Sequence, residues 1–520
     1  MNKNRHGLLI LIPACVIALL ALLLFATDVW ISLTDYRYGD RLFGGDFAGS
    51  MNWERFLSDA KMIDSVGNSL AQTLMTVFIS VPGALLFAFL FGLIKNRPVK
   101  AAFAGAALIL AILPEQMYLE GARSVLALAD EALMEMGERP FLNNAYYPVF
   151  ILTKTIPLTS LCVFAALSLQ LSSKLPSPLG VLLVGLLPLL SCCLPDIRMN
   201  IQATNPLNYE TSRSLSYMAY NAGLLNMNIA YSETASAFGK AAGLLPGFGF
   251  ALLIGLIARR SLKYPRMKAE GHSWAKEGLG ALIGAVVISL AVMISILVEK
   301  ETSYNDPVIN NALINTILVA VSTTMVVFGI LTAILSLSRR MDRRFMCALS
   351  FAVIALSLVH LSNMDIAKYL MTRNMNLFNM LVSVVMSALI NPVFIAVMLV
   401  LIATQPITGR QMILTALGGA LIAAAIGIGD FFPAHIYIIE RSKMPLSQML
   451  RQTQMNAIAF SADAEASREI TQTVLYKNGS MALLAGSAVF FGIIAAVITM
   501  FGIGGTKVQK EKAQKVVLHK

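Results

Sequence analysis

The sequence predicts an all-α polytopic membrane protein with about twelve transmembrane helices in two parallel repeats. Three observations predict it. The 520 residues are 57% hydrophobic and only 13% charged, with a mean hydropathy of +0.70, well above what a water-soluble core requires. The basic residues gather in alternate connections. An Asn-led apolar segment recurs after 247 positions, from Asn68 to Asn315.

A hydrocarbon layer of about 30 Å needs about 20 apolar residues per helix. Such runs lie near 8–27, 70–94, 101–114 with a broken continuation, 148–169, 178–195, 241–258, 278–298, 315–337, 345–361, 378–403, 411–429 and 481–503. The first follows Lys3, Arg5 and His6, with no small-residue cleavage site after it. It therefore reads as an uncleaved anchor rather than a signal peptide.

The charge distribution sets the expected orientation. Lys3 and Arg5, the turns at 95–100, 174, 259–277, 339–344 and 410, and the tail from Lys507 to Lys520 hold 22 of the 40 basic residues and four of the 29 acidic ones. The other side then carries 18 basic against 25 acidic residues. This positive-inside pattern places both termini in the cytoplasm and the chain in the inner membrane. The net charge of +11 is thus topological, and no aromatic or Gly-rich motif makes it a nucleic-acid surface. Cys15, Cys162, Cys192, Cys193 and Cys347 fall in or beside apolar runs without metal-ligand spacing and read as small hydrophobes.

The recurrence divides the chain into an N-terminal helix with an external segment (1–63), a first repeat (64–260), a linker with an extra helix (261–307), a second repeat (308–505) and a basic tail (506–520). Parallel repeats about an axis along the membrane normal place a solute path at their interface. Segments 28–67, 196–238 and 430–480 are expected outside and are too long for turns. Residues 119–139 are expected to form an amphipathic helix on the outer surface.

At these residues the chain resembles a known family, the permease subunits of maltose-type carbohydrate ABC importers, with both subunits in one chain. The first half is similar to the first subunit at Asn52–Phe56, Asn68-Ser69-Leu70, Ile112-Leu113-Pro114, Thr153-Lys154, Thr204-Asn205-Pro206, Tyr217, Tyr220-Asn221-Ala222 and Ala230-Tyr231. The second is similar to the partner subunit at Asn315-Thr316, Asn391-Pro392-Val393-Phe394, Gly429-Asp430-Phe431-Phe432-Pro433 and Met444-Pro445-Leu446. The resemblance implies alternating access, a carbohydrate-like solute and a periplasmic or extracellular solute-binding protein as partner. One departure matters: the turns at 170–176 and 404–410 lack the Glu-Ala-Ala segment that docks the ATPase subunit. A coupling helix of three turns needs about eleven residues plus connections, so conventional ATP coupling is not expected.

Candidate site residues follow. Lys154 lies inside an apolar run and must face the bundle interior or water, or snorkel to a helix end. Asn391 precedes Pro392, which opens or kinks a helix. Asp430 and His435 flank Phe431 and Phe432 at an external helix end, where a route for a polar solute and a plain solvated turn both fit. His360 with Asp365 reads as a solvated turn, and Asn478-Gly479-Ser480 as a turn before the last helix. Gly502–Lys507 has no Walker spacing and reads as a helix end with a basic anchor. No enzymatic activity, cofactor or metal is expected. The rival to a permease is a non-transporting scaffold or sensor that binds an envelope protein. An ion-coupled carrier is disfavoured because Lys154 alone stands out as a buried charge.

Overall fold

Every regular element among the described residues is helical, and the single backbone bridge pairs Thr34 with Phe47. The computed structural model describes residues 23, 25–122, 125–126, 146–172, 197–204, 209–242, 274–297, 307–338, 366–388, 409–460 and 467–504. The first half holds α1 (25–32), α2 (Met51–Ser58), α3 (Ala60–Gly92), α4 (Arg97–Ile112), α5 (Glu115–Ala122), α6 (Tyr146–Ser172), α7 (Ile197–Ala203), α8 (Tyr209–Ser212), α9 (Leu215–Tyr220) and α10 (229–242). Then come α11 (Trp274–Leu297), α12 (Pro307–Ser338), α13 (Ile366–Asn374), α14 (Leu381–Ala388), α15 (Gly409–Gly429), α16 (Phe432–Tyr437), α17 (Leu446–Phe460) and α18 (Ser467–Gly504).

Four of these are long and apolar enough to cross a bilayer: α3, Ile151–Ser168 of α6, Pro307–Thr332 of α12 and Lys477–Thr499 of α18. A fifth candidate is the α4–α5 pair, bent by 81°, and Gly278–Ile294 and Ile413–Gly429 are shorter apolar helices. Length and composition make the chain a helical, membrane-embedded protein. The bend falls at the expected break, because a residue before proline avoids the helical region and Leu113 is extended with ψ 139°. Nearly all of the expected spans at 8–27 and 241–258, all of 178–195 and 345–361, and the second part of 378–403 lie outside the described residues.

The packing is inverted relative to a water-soluble bundle. On α3 the buried stripe is Ser65, Ser69, Gln72, Thr76, Ser80, Ala84 and Ala88, while Leu70, Phe78 and Leu86 are more than half exposed. On α11, Leu279, Ile283, Val287, Leu290 and Ile294 form an exposed apolar face at helical spacing. Its opposite face is small: a Cβ on Gly280 would lie 2.2 Å from the Pro98 carbonyl oxygen, and one on Gly284 would lie 1.9 Å from that of Ala102. Between lipid-facing helices no hydrophobic force favours contact, so close backbone approach through small residues supplies the attraction. The main core is accordingly rich in alanine, drawing Ala84, Ala88, Ala101, Ala104, Ala281, Ala285, Ala416, Ala420, Ala488 and Ala495 from five helices.

A pair of contacts recurs in the N-terminal parts of two long helices. On α3, Asn68 Nδ2 donates to the carbonyls of Glu210 (2.7 Å) and Arg213 (3.1 Å), and Ser69 Oγ accepts the Leu215 N–H at 2.7 Å. On α12, Asn315 Nδ2 donates to the carbonyls of Ser442 (2.8 Å) and Met444 (3.3 Å), and Thr316 Oγ1 accepts the Leu446 N–H at 2.9 Å. Leu215 and Leu446 open α9 and α17, so each hydroxyl satisfies a first-turn N–H that its own helix leaves without a partner.

One expectation needs correction. Asn478-Gly479-Ser480 is not a turn but lies inside α18, with Asn478 and Ser480 buried; packing along this 38-residue helix overrides the local turn preference. Segment 28–67 holds α1, α2 and the start of α3, which begins at Ala60, where the Asp59 carboxylate accepts the Lys61 N–H at 2.9 Å. Of the expected 119–139 helix, residues 119–122 and 125–126 are helical and described, and Glu120 pairs with Lys477 of α18.

The small-residue contact generates a prediction. Gly284→Ala should lower stability by about 1–3 kcal/mol, the usual cost of overpacking. Gly486→Ala, where a Cβ meets nothing within 4 Å, should be neutral or slightly stabilising. Thermal unfolding of both variants in nanodiscs tests this, and equal midpoints would remove the close contact from the account.

Candidate functional site

The polar groups of greatest interest meet where α15 ends. Gly429 abuts Pro114, so closely that an added Cβ would lie 3.0 Å from the Pro114 Cα. The chain then leaves the helix at Asp430, whose Oδ1 accepts the Phe432 N–H at 3.1 Å and so caps α16. Pro433 sits in the first turn of α16, where its missing N–H costs nothing. The Asp430 carboxylate is held from the first half by Arg198 of α7, whose Nε and second terminal nitrogen donate at 2.8 and 2.6 Å. This is a bidentate, charge-assisted pair across 232 residues of sequence, with side chains 30% and 16% exposed. Ser447 Oγ donates to the Asp430 carbonyl at 3.2 Å, and Gln116 Nε2 donates to the Ser447 carbonyl at 3.0 Å.

His435 projects from α16 among groups of both halves. Tyr220 Oη lies 3.1 Å from its Nε2, while Gln448 Nε2 and an Arg451 terminal nitrogen lie 3.3 and 3.5 Å from its Nδ1. A guanidinium can only donate. Nδ1 is therefore the acceptor and Nε2 carries the proton toward the tyrosine oxygen. Burial, and secondarily the Arg451 charge, push this imidazole down to about 4, so it is neutral at physiological pH. Burial also raises Tyr220 and lowers Arg451. Arg451 lies over the Phe431 ring, 5.2 Å from its centroid.

Beneath this cluster lies an aromatic core shared by distant segments: Ile31, Tyr36, Ile197, Ile229, Tyr369, Phe431, Phe432 and Tyr437. Of the expected site residues, Asp430, Phe431, Phe432 and His435 come together here. Asp430 is engaged by Arg198, and the two phenylalanines are buried. Lys154 lies on α6, its side chain outside the described set, and Asn391 lies outside the described residues. Arg198, Gln448 and Arg451 were not legible in the sequence, since nothing in a lone Arg on a polar stretch signals what it will meet.

The premise that Lys154 alone is a buried charge is also corrected. Asp28 and Lys240 form a fully buried ion pair, and Glu233 is fully buried on the same helix as Lys240. These residues stand at or beyond the edges of apolar runs, and tertiary packing rather than lipid buries them. No group of three or more metal-ligating side chains occurs among the described residues. No known protein family, curated protein or solved structure matches the chain.

The neutral histidine predicts a pH dependence. α16 lies outside the candidate spans, and an unfolded histidine titrates near 6.5 while the folded one takes a proton only near 4. The unfolded state therefore binds more protons in between, and stability falls as pH drops through that window, by about 2 kcal/mol at pH 4.5. Thermal midpoints between pH 7.5 and about 4.5 should fall more steeply for the wild type than for His435→Asn. Parallel curves would show that His435 is not held neutral.

Proposed function

We propose that the chain is a two-repeat inner-membrane permease, similar to sugar ABC importers, that moves a carbohydrate-like solute by alternating access. The observation that carries this reading is the half-buried cluster of Tyr220, His435 and Arg451 with the buried Gln448, drawn from both halves at the outer end of apolar helices. Hydroxyl, amide, imidazole and guanidinium groups above aromatic faces are what a sugar needs for orientation and affinity. The recurring Asn68–Ser69 and Asn315–Thr316 contacts support parallel repeats over 64–260 and 308–505, since each pins the start of a later helix to the start of a long one. The charge pattern supports cytoplasmic termini and an outer location for 28–67, 196–238 and 430–480.

Energy coupling differs in this reading from that of an ordinary importer. A nucleotide shifts a conformational equilibrium only through contacts that differ between states, and the turns at 170–177 and 404–410 are too short to supply a docking helix. No ATPase docks there in the conventional way, and the protein works with another partner or without ATP. The scaffold reading has one observation in its favour: Phe43, Phe47 and Met51 are more than half exposed on the outer segment, where an envelope protein would find them.

Alternating access and a static scaffold differ in motion between the halves. Spin labels at exposed Leu225 and Ile439, in a chain with its five cysteines replaced, should give two distance populations by pulsed electron resonance in nanodiscs. Their ratio should change when glucose, maltose or glucuronate is added. One narrow population, unmoved by any of these, would favour the scaffold.

A further inference from the structure

Half-buried Arg451 differs from four other buried or half-buried cations of the described residues. Arg198 sits on Asp430, Arg213 on Asp64, Lys240 on Asp28 and Lys477 on Glu120. Arg451 makes no ion pair with any described residue, and its buried Nε has no hydrogen-bond partner. Of its five N–H donors, one reaches the His435 imidazole at the long distance of 3.5 Å, while the group's face rests on Phe431. Asp430, the carboxylate at the adjoining helix junction, is already saturated by Arg198 and the Phe432 N–H. A buried cation without a counter-charge is unfavourable, and such a charge persists when a ligand supplies its partner.

The neighbours extend the pattern. With Nε2 of His435 donating to Tyr220 Oη, the tyrosine hydrogen is left to donate elsewhere, beside the guanidinium. Gln448 Oε1 and Gln116 Oε1 are buried acceptors without partners among the described residues, and Gln116 reaches the chain one residue from Gln448 through the Ser447 carbonyl. The site thus offers donors and a positive charge on one side and amide acceptors on the other. Donors plus charge suit an oxyanion, and amide acceptors suit hydroxyl groups. Tyr220, His435 and Arg451 remain partly exposed, so the cluster is open to solutes.

We propose that Arg451, Tyr220, His435 and Gln448 form an oxyanion subsite that takes the carboxylate or phosphate of a small hydroxylated solute, such as a sugar acid or sugar phosphate. This rests on the permease reading for its solute class and makes that solute anionic rather than neutral. A phospholipid headgroup carries the same oxyanion chemistry and is separated from a free solute by the test.

The full chain in phosphatidylcholine nanodiscs is titrated with glucose, glucuronate, glucose 6-phosphate and inorganic phosphate, with binding read from the thermal midpoint. Glucuronate or glucose 6-phosphate should bind about tenfold or more tighter than glucose, the usual difference for a charge-assisted hydrogen bond. Arg451→Gln should abolish that preference, and Arg451→Lys should retain part of it. Should Arg451→Gln fail to fold, the wild-type comparison of glucuronate with glucose still decides. Equal affinity for the two, no binding of either, or a preference that survives Arg451→Gln would overturn the proposal. So would inorganic phosphate binding as tightly as glucose 6-phosphate, or an Arg451-dependent rise in midpoint with phosphatidylglycerol and none with the sugars. Uptake of neutral glucose without charge preference would end this inference but leave the permease reading standing. Charge-selective binding with no uptake into vesicles would do the reverse.

Discussion

The polar cluster where α15 ends depends on the bidentate pair between Arg198 and Asp430. Asp430 serves two ends at once: its carboxylate binds the guanidinium of the first half and caps the helix that carries His435 in the second. Its carbonyl receives Ser447, which in turn receives Gln116 from the segment beyond the Pro114 bend. Asp430 therefore ties α7 to the start of α16 through its carboxylate, and α17 and α5 to the same point through its backbone carbonyl. Because the fork geometry of guanidinium and carboxylate fixes orientation as well as distance, the imidazole is presented at one angle to Tyr220 and Arg451. Neutral His435 and uncompensated Arg451 then follow from burial around that arrangement.

Among the long apolar helices a different physics applies. Between helices in lipid, attraction comes from contact, so the interior is rich in alanine beside buried Leu108, Ile109, Phe164 and Leu167, while many other large apolar side chains face outward. The α4–α11 approach, with backbone oxygens where a Cβ would stand, is the extreme of this rule. Such packing joins helices of the first and second halves in one body, with Gly492 of α18 facing Ile112 of α4. The segments around Asp430 are joined by ion pairs and side-chain hydrogen bonds to backbone carbonyls, which are fewer but directional contacts.

Parts of this were readable in the sequence because they rest on local chemistry. Leu113-Pro114 announces its break through the proline ring, and Asn68 and Asn315 mark two long helices on which they bind distant carbonyls. The apolar runs give the helical membrane class through composition alone. What stayed hidden depends on distance in the chain. Arg198 meets Asp430 across 232 residues, and no spacing encodes that. Arg451 stands on a polar stretch that looks solvated until α16 folds over it. Asn478-Gly479-Ser480 has turn chemistry yet lies in a long helix because its neighbours pack. Asp28 and Lys240 look like ordinary edge charges, and only the folded structure buries them.

The central claim, that Arg198 and Asp430 act as one unit joining the halves, is tested most directly by a double-mutant cycle. Arg198→Gln, Asp430→Asn and the double variant would be compared with the wild type by thermal unfolding in nanodiscs. The account predicts that the double variant loses less stability than the two single losses combined, by about 1–2 kcal/mol, as expected for a partly buried, bidentate pair. Single losses that add to within about 0.5 kcal/mol, the range for independent sites, would contradict it.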